Sequence, residues 1–238
     1  MRVRINKYLA TCGLGSRRRV ESYINQKKVS INGKLARLYD YVCPETDTVM
    51  VGKKIVKPKK FEYYILNKPK GVVSTTKDEF GRKTVLDFVK TKAKLKIAGR
   101  LDIDTTGVVL LTDDADLITK ITQSKNNIVK TYRVVVAGRL DQDKIKLLEQ
   151  GVNLGGYVTK PANVEVVEIG KNRSVFNLSL SEGKYHQIKK MCERIKLPFI
   201  ELTRIAIGGL SLGSLMPGQV KKLKRSEIYK IFNLKNLS

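Results

Sequence analysis

The sequence predicts an α+β fold in two parts. Short apolar runs bounded by glycine, proline or polar residues dominate the chain after residue 60, which is the pattern of strands. Helical patterns are scattered among them without regular strand–helix alternation, so we expect a mixed, mostly antiparallel sheet with flanking helices. The first 60 residues differ in composition and carry a net charge of +11. We therefore predict a small N-terminal domain at residues 1–58 and a larger domain at residues 59–238.

The N-terminal part is predicted to fold as two helices followed by a hairpin. Residues 4–12 place apolar side chains at helical spacing and are followed by a glycine. Ser16 is a suitable N-cap for a second helix over residues 17–26. The Asn32-Gly33 pair between alternating residues is a strong hairpin signal. Residues 52–60 are rich in lysine and predict a basic linker.

The larger part is predicted to contain more strands than helices. Strands are predicted at residues 61–66, 72–76, 96–98, 108–112, 131–136, 163–169, 174–180, 200–207 and 210–212. Helices are predicted at residues 84–89, 113–121, 141–150 and about 184–195, and from Ser226 onwards. Three acidic residues open the second of these helices, where the helix dipole favours negative charge.

The charge of the chain predicts a polyanionic partner. The formal net charge is +25 and the isoelectric point is near 10.0. The excess is densest at the ends, with +11 in residues 1–60, +9 in residues 61–218 and +5 in residues 219–238. Nucleic acid is the first candidate, since no long basic amphipathic helix supports binding to an anionic membrane. This distribution indicates a binding module joined to a domain with another task.

The sequence carries no signal for secretion or membrane insertion. No apolar run approaches the roughly 20 residues of a membrane span, and the N-terminal residues lack an apolar signal region. Cys12, Cys43 and Cys192 are too few and too widely spaced for a disulfide framework or a zinc site. We therefore expect reduced thiols in a cytoplasmic protein with no membrane partner. Nothing in the sequence requires more than a monomer.

A short acidic loop stands out in the larger part. Residues 99–107 (GRLDIDTTG) place Asp102 and Asp104 just before the apolar strand residues 108–111. Side chains on loops that a rigid scaffold positions are frequently functional. In a chain this basic, two carboxylates beside a buried strand require an explanation.

The residues alone leave several interpretations of this loop open. A calcium loop of the EF-hand type is excluded, because Leu110 occupies a ligand position and the flanking residues predict strand rather than helix. A glycosidase-like carboxylate pair has no other support in a chain without tryptophan. A single aspartate acting on RNA remains possible. The simplest alternative is a turn in which Asp104, with Thr105 and Thr106, only sets the shape of the loop.

Two resemblances decide among these interpretations. Residues 16–19 (SRRR) followed by residues 29–34 (VSINGK) resemble the S4 RNA-binding module, in which an arginine-rich helix and a hairpin face structured RNA. Residues 98–107 (AGRLDIDTTG) closely resemble the central motif of RNA pseudouridine synthases. Three further segments resemble the other motifs of that family in the same order: 66–71 (LNKPKG), 130–134 (KTYRV) and 182–191 (EGKYHQIKKM). An S4 module followed by this set is typical of the RsuA-type branch, which modifies ribosomal RNA.

The resemblance implies an isomerase that converts a uridine of ribosomal RNA to pseudouridine without cofactor or metal. It assigns the essential carboxylate to Asp102, as a nucleophile or as a base. Lys189 would pair with Asp102, at a position where many relatives have arginine, and Tyr132 would stack on the uracil. Arg100 would help to displace the base from its stack. The RNA contacts that we predict in addition are Lys68, His186, Arg17, Arg18, Arg19 and Lys34.

Each of these assignments has a simpler structural alternative. The arginine run and Lys189 suit a solvated helix face, and Tyr132 suits the core of a strand-rich domain. Arg100 suits an ion pair with Asp104, and Lys68 suits a turn. His186, the only histidine, is expected to support its motif or contact RNA rather than to act as a base.

The predicted substrate within this branch is small-subunit (16S) ribosomal RNA. The segment 185–191 (YHQIKKM) is most similar to the enzyme that modifies one uridine of that RNA, whereas large-subunit relatives typically have Asn-Arg-Gln there. A large-subunit (23S) synthase is the first alternative. An RNA-binding assembly protein that has lost its catalytic activity is the second.

Overall fold

The computed structural model describes residues 2–58 and 60–234. The chain divides into two compact units, with the division between Lys60 and Phe61. Met1 of the predicted smaller domain lies outside the described residues, as do residues 59 and 235–238 of the predicted larger domain. No helix in the described segments is both long and apolar enough to cross a membrane.

The described residues of the N-terminal unit form two helices and six short strands. The helices are α1 (Ile5–Thr11) and α2 (Arg17–Asn25). The strands are β1 (Val3–Arg4), β2 (Val29–Ile31), β3 (Lys34–Leu35), β4 (Tyr41–Val42), β5 (Val49–Val51) and β6 (Lys54–Ile55). The Ser16 side chain caps α2 by accepting a hydrogen bond from the Arg19 backbone N–H at 3.2 Å. The predicted order of helix, helix and hairpin is confirmed.

One prediction for this unit is wrong. Residues 52–60 were expected to form only a linker, but they contain β6, which pairs antiparallel with β5. Gly52, at φ +59°, lets the chain reverse between the two strands. The pairing uses backbone hydrogen bonds, and the lysine-rich composition of the segment gives no sign of them.

The larger unit is built on a nine-stranded sheet. Its strands are β7 (Tyr63–Lys68), β8 (Lys96–Ala98), β9 (Thr106–Thr112), β10 (Lys130–Ala137), β11 (Asn163–Ile169), β12 (Arg173–Leu180), β13 (Phe199–Ile207), β14 (Leu210–Ser211) and β15 (Val220–Leu223). The order is β11-β12-β10-β13-β9-β7-β15, with β14 beside β13 and β8 beside β9. Within the described sheet, β9 and β13 pair parallel and the other neighbours pair antiparallel. The predicted mixed, mostly antiparallel sheet is confirmed.

Helices of this unit pack on the sheet and occur close to where the sequence predicts them. They are α3 (Ala115–Thr122), α4 (Gln142–Gln150), α5 (Gln187–Arg194) and α6 (Arg225–Ile231). Two differences concern the segment before β8. The predicted helix at 84–89 is a single 3-10 turn (Val85–Phe88), and the predicted strand at 72–76 is reduced to one bridge between Val73 and Thr84. A short apolar run does not distinguish a strand from a buried loop.

The central strands are buried on both faces. Side chains of β7 and β9 alternate between two apolar clusters: Tyr63 and Leu110 pack with α3 and α6, whereas Tyr64 and Leu111 pack with the 3-10 turn on the other face. Strands covered on both sides have continuous rather than alternating apolar sequence. This burial explains the uninterrupted apolar run that follows the acidic loop.

Two residues on adjacent strands fix the acidic loop to the sheet. The parallel register pairs Gly107 of β9 with Arg204 of β13. A Cβ atom on Gly107, which has φ +109°, would lie 2.2 Å from the Arg204 carbonyl oxygen. The buried Arg204 guanidinium donates hydrogen bonds to the carbonyl oxygens of Val108 (2.8 Å) and Gly99 (3.0 Å). Backbone on both sides of the loop is therefore bound to one side chain.

We predict that Gly107→Ala destabilises the protein by roughly 2–4 kcal/mol, because the methyl group clashes with the paired strand in a strained backbone conformation. The measurement is the free energy of unfolding from denaturant titration. Gly156→Ala is the control, since a Cβ atom there meets nothing within 4 Å. Equal stability of the two variants would show that the close approach at Gly107 has no energetic consequence.

Candidate active site

A cleft of about 690 Å³ lies along one end of the larger sheet. It is lined by the acidic loop, by α3, by β10 and β13, and by the segment that leads into α5. The lining includes five of the residues singled out in the sequence: Arg100, Asp102, Tyr132, His186 and Lys189. Folding therefore brings together motifs that are separated by up to 89 positions in the chain.

Asp102 lies on the acidic loop with two basic side chains near it. Its backbone carbonyl accepts a hydrogen bond from the Thr105 N–H at 3.1 Å, which closes the turn. One carboxylate oxygen lies 3.4 Å from His186 Nε2 and 3.5 Å from Lys189 Nζ. About a third of the side chain is exposed, at 33%. The Asp102 carboxylate is therefore partly desolvated and remains accessible from the cleft.

Lys189 contacts Asp104 more closely than Asp102. Its Nζ donates to both carboxylate oxygens of Asp104 at 2.8 Å each. This hydrogen-bonded ammonium holds the pKa of the Asp104 carboxyl below its usual range. Lys189 therefore lies beside Asp102, as the resemblance implies, and in addition binds Asp104, the residue otherwise interpreted as part of the turn. Both carboxylates lie within reach of one flexible cation, and spacing in the sequence does not predict which is closer.

A hydrogen-bonded loop positions α5 and His186. Gln187 donates to the buried Glu182 carboxylate at 2.6 Å, and its side-chain oxygen accepts from the Lys184 N–H at 3.0 Å. His186 precedes α5 in a left-handed conformation, at φ +52°, and its ring stacks on Tyr185 at 3.8 Å between centroids. The strained backbone and the stacking fix the imidazole at the edge of the cleft beside Asp102.

Tyr132 and Arg100 both line the cleft, but Tyr132 lies on a packed strand and Arg100 on an exposed loop. Tyr132 belongs to β10, is half-buried, and packs against two neighbouring apolar clusters, one that includes side chains of α4 and α5 and one that includes the 3-10 turn. It therefore has contacts of a core residue as well as a position in the cleft. Arg100 is exposed on the loop, and Lys189 rather than Arg100 pairs with Asp104. The alternative of an Arg100–Asp104 ion pair is therefore wrong.

Lys68 is not placed where an RNA contact requires it. The side chain is fully buried at the end of β7, and Nζ donates to the carbonyl oxygens of Thr105 (2.7 Å), Pro69 (3.1 Å) and Ile103 (3.3 Å). Burial lowers the pKa of Lys68 to about 8, and the neighbouring carboxylates oppose that shift. The predicted RNA contact of Lys68 is wrong, because its ammonium is enclosed by the backbone of the acidic loop.

The remaining predicted RNA contacts lie in the N-terminal unit. Arg17, Arg18 and Arg19 form the exposed first turn of α2, and Lys34 is exposed at the start of β3 in the hairpin. All four side chains are accessible to a ligand. Their positions agree with either an RNA-binding surface or a solvated face.

The sequence analysis did not identify three buried residues that hold the loops around the cleft. Arg204, Glu182 and Gln187 are buried, and their side chains form hydrogen bonds with the backbone of loops around the cleft. The only signal for Arg204 was one basic residue within an apolar strand. Glu182 and Gln187 belong to the motif at residues 182–191, but nothing in their spacing indicates the hydrogen bond between them. Among the described residues, no group of three or more His, Cys, Asp or Glu side chains could hold a metal ion.

Comparison with known proteins identifies both units. Residues 3–49 match the family model of the S4 domain, and residues 62–194 match that of RNA pseudouridylate synthase. The chain is similar to the Bacillus subtilis protein named uncharacterized RNA pseudouridine synthase YtzG, with 36% identity over 95% of this chain and 97% of that protein. It is 35% identical to the Escherichia coli dual-specificity RNA pseudouridine synthase RluF, over 98% of this chain and 79% of RluF.

Two further comparisons cover almost the full length. The Bacillus subtilis ribosomal large subunit pseudouridine synthase B is 33% identical over 96% of this chain and 95% of its own. A crystal structure titled pseudouridylate synthase superposes with a TM-score of 0.67 and 32% identity, covering 96% of this chain and 99% of that one. Together with the cleft and the S4 unit, these matches show that the chain belongs to the RsuA family of RNA pseudouridine synthases.

Proposed function

We propose that Asp102 is the reactive carboxylate with which this RNA pseudouridine synthase isomerises its uridine. The observation that carries the proposal is the position of the Asp102 carboxylate, which faces the cleft with a lysine ammonium 3.5 Å away. Conversion of uridine to pseudouridine breaks the bond between the sugar and N1 of uracil, turns the base and forms a bond to C5. The proton leaves C5 and N1 gains one, so the reaction is redox-neutral and releases no group.

Asp102 must be ionised to take part in this reaction. As a nucleophile it would attack the sugar or the base, and as a base it would remove a sugar proton on a glycal route. In either case the carboxylate needs a nearby cation, since a partly desolvated negative charge is otherwise costly. Lys189 supplies that cation and His186 is a second polar neighbour at 3.4 Å.

Tyr132 and Arg100 are proposed to handle the base. Tyr132 presents an aromatic ring to the cleft from a strand whose packing holds it rigid, which suits stacking on the flipped uracil and acceptance of its proton. Arg100 is exposed at the mouth of the same loop and suits displacement of the uridine from its stack. Extruding a base costs a few kcal/mol, which these contacts offset.

The S4 unit is proposed to supply most of the RNA affinity. Arg17, Arg18, Arg19 and Lys34 present exposed positive charge on a helix and a hairpin. Phosphate contacts from such residues position an RNA without specifying its sequence. We propose domain limits of 1–58 for this module and 59–238 for the catalytic domain. We further propose a cytoplasmic monomer.

We propose small-subunit (16S) ribosomal RNA as the substrate, on the basis of the segment 185–191 (YHQIKKM) at the start of α5. Large-subunit (23S) ribosomal RNA is the second candidate, and the similarity to a synthase named for the large subunit favours it. The fold and the cleft are common to both candidates.

Mapping the product distinguishes the two substrates. The protein is incubated with unmodified 16S and 23S RNA, and new pseudouridines are located by chemical adducts that stop reverse transcription. We expect one new stop in 16S RNA. A stop in 23S RNA instead would overturn the 16S proposal, and no stop in either RNA would favour a binding protein without activity.

We predict that Asp102→Asn lowers the single-turnover rate of pseudouridine formation at least about 1,000-fold, because the amide is neither a nucleophile nor a base. The dissociation constant for RNA should stay within about twofold. Asp143→Asn removes an exposed carboxylate from α4 and is the matched control. Full activity of the Asp102→Asn variant would exclude Asp102 from the chemistry.

Replacing Arg17, Arg18 and Arg19 by glutamine should weaken RNA binding and flatten its dependence on salt. Each lost phosphate contact reduces the slope of log K against log salt by roughly 0.7–0.9. The measurement is RNA affinity by filter binding over a range of salt concentrations. A variant with glutamine at Arg139, Lys146 and Lys171 loses the same charge from exposed positions outside the N-terminal unit. Identical slopes for both variants would assign the three arginines to a solvated face.

A further inference from the structure

Lys189 is shared unequally by two carboxylates, and the closer one has no assigned role. Its Nζ lies 2.8 Å from both oxygens of Asp104 and 3.5 Å from the nearest oxygen of Asp102. The Lys189 side chain is 21% exposed and that of Asp104 is 44% exposed, so water does not fully screen the contact on the lysine side. Lys189 therefore forms its closer ion pair with Asp104.

A lysine in this position needs a second anchor. An ammonium group is a point charge on a flexible four-carbon stem and lacks the planar fork with which arginine binds one carboxylate through two hydrogen bonds. A single contact at 3.5 Å to Asp102 fixes neither the distance nor the direction of the charge. The paired contacts to Asp104 supply that restraint.

The backbone fixes the spacing between the two carboxylates. Ile103, which separates them, has its carbonyl oxygen bound by the Gly71 N–H at 2.8 Å and by Lys68 Nζ at 3.3 Å. The turn from Asp102 to Thr105 is closed by its own hydrogen bond. A cation held on Asp104 is therefore held at a defined place beside Asp102.

We propose that Asp104 is a positioning residue that holds the Lys189 ammonium beside the reactive carboxylate. The proposal rests on the role assigned to Asp102 under the proposed function. Asp104 acts on Asp102 only through Lys189. The effect of Asp104 on the reaction rate should therefore depend on whether the side chain at position 189 can bind Asp102 in a fixed geometry without Asp104.

Four proteins test this dependence: the native chain, Asp104→Asn, Lys189→Arg and the double variant. The measurements are the single-turnover rate of pseudouridine formation on ribosomal RNA and the dissociation constant for that RNA. With lysine at 189, we expect Asp104→Asn to lower the rate at least about 10-fold with an RNA affinity within about twofold. With arginine at 189, the same change should lower the rate less than about threefold, because the fork binds Asp102 without help.

Control variants distinguish a failure of this inference from a failure of the role proposed for Asp102. Asp143→Asn reports the effect of losing a carboxylate outside the cleft, and unfolding temperatures report whether the loop still folds. An equal loss of rate in both backgrounds would make Asp104 a loop-shaping residue and overturn the proposal. The proposal would also be overturned if Asp104→Asn had the same rate as Asp143→Asn while Asp102→Asn was inactive. Activity in Asp102→Asn would overturn the proposed function and this inference together.

Discussion

The parallel pairing of β9 with β13 at Gly107 and Arg204 is the constraint on which the cleft depends. The two strands approach so closely there that only a glycine fits against the Arg204 backbone. The same arginine binds the carbonyl oxygens of Gly99, at the start of the acidic loop, and of Val108, just after it. Because this contact joins a strand near the centre of the chain to one near its end, the loop has its shape only when the sheet is complete.

A second buried basic residue, Lys68, also holds the backbone of the acidic loop. Lys68 binds three carbonyl oxygens of the surrounding loops and bears no exposed surface. Two basic residues are thus used to hold backbone, and a third, Lys189, is held by carboxylates. In a chain with 47 lysines and arginines, these three side chains have structural partners within the larger unit.

Much of the fold and part of the site could be predicted from the sequence. The cap at Ser16, the Asn32-Gly33 turn and the apolar run after the acidic loop are local signals, and local signals locate helices, turns and strands. The resemblance placed Asp102, Tyr132 and Lys189 in one cleft. It did not give the closer partner of Lys189, and the additional prediction of an RNA contact at Lys68 was wrong, because both depend on distances between segments far apart in the chain. β6 was missed because two paired residues leave no pattern.

The most direct test of the account is the structure of the Asp102→Asn variant bound to its ribosomal RNA substrate. The account predicts that the target uridine is extruded into the cleft, with its sugar beside residue 102 and its base against the Tyr132 ring. The Lys189 ammonium should remain on Asp104 beside residue 102. A uridine still stacked in the RNA, or bound outside this cleft, would contradict the placement of the chemistry at Asp102.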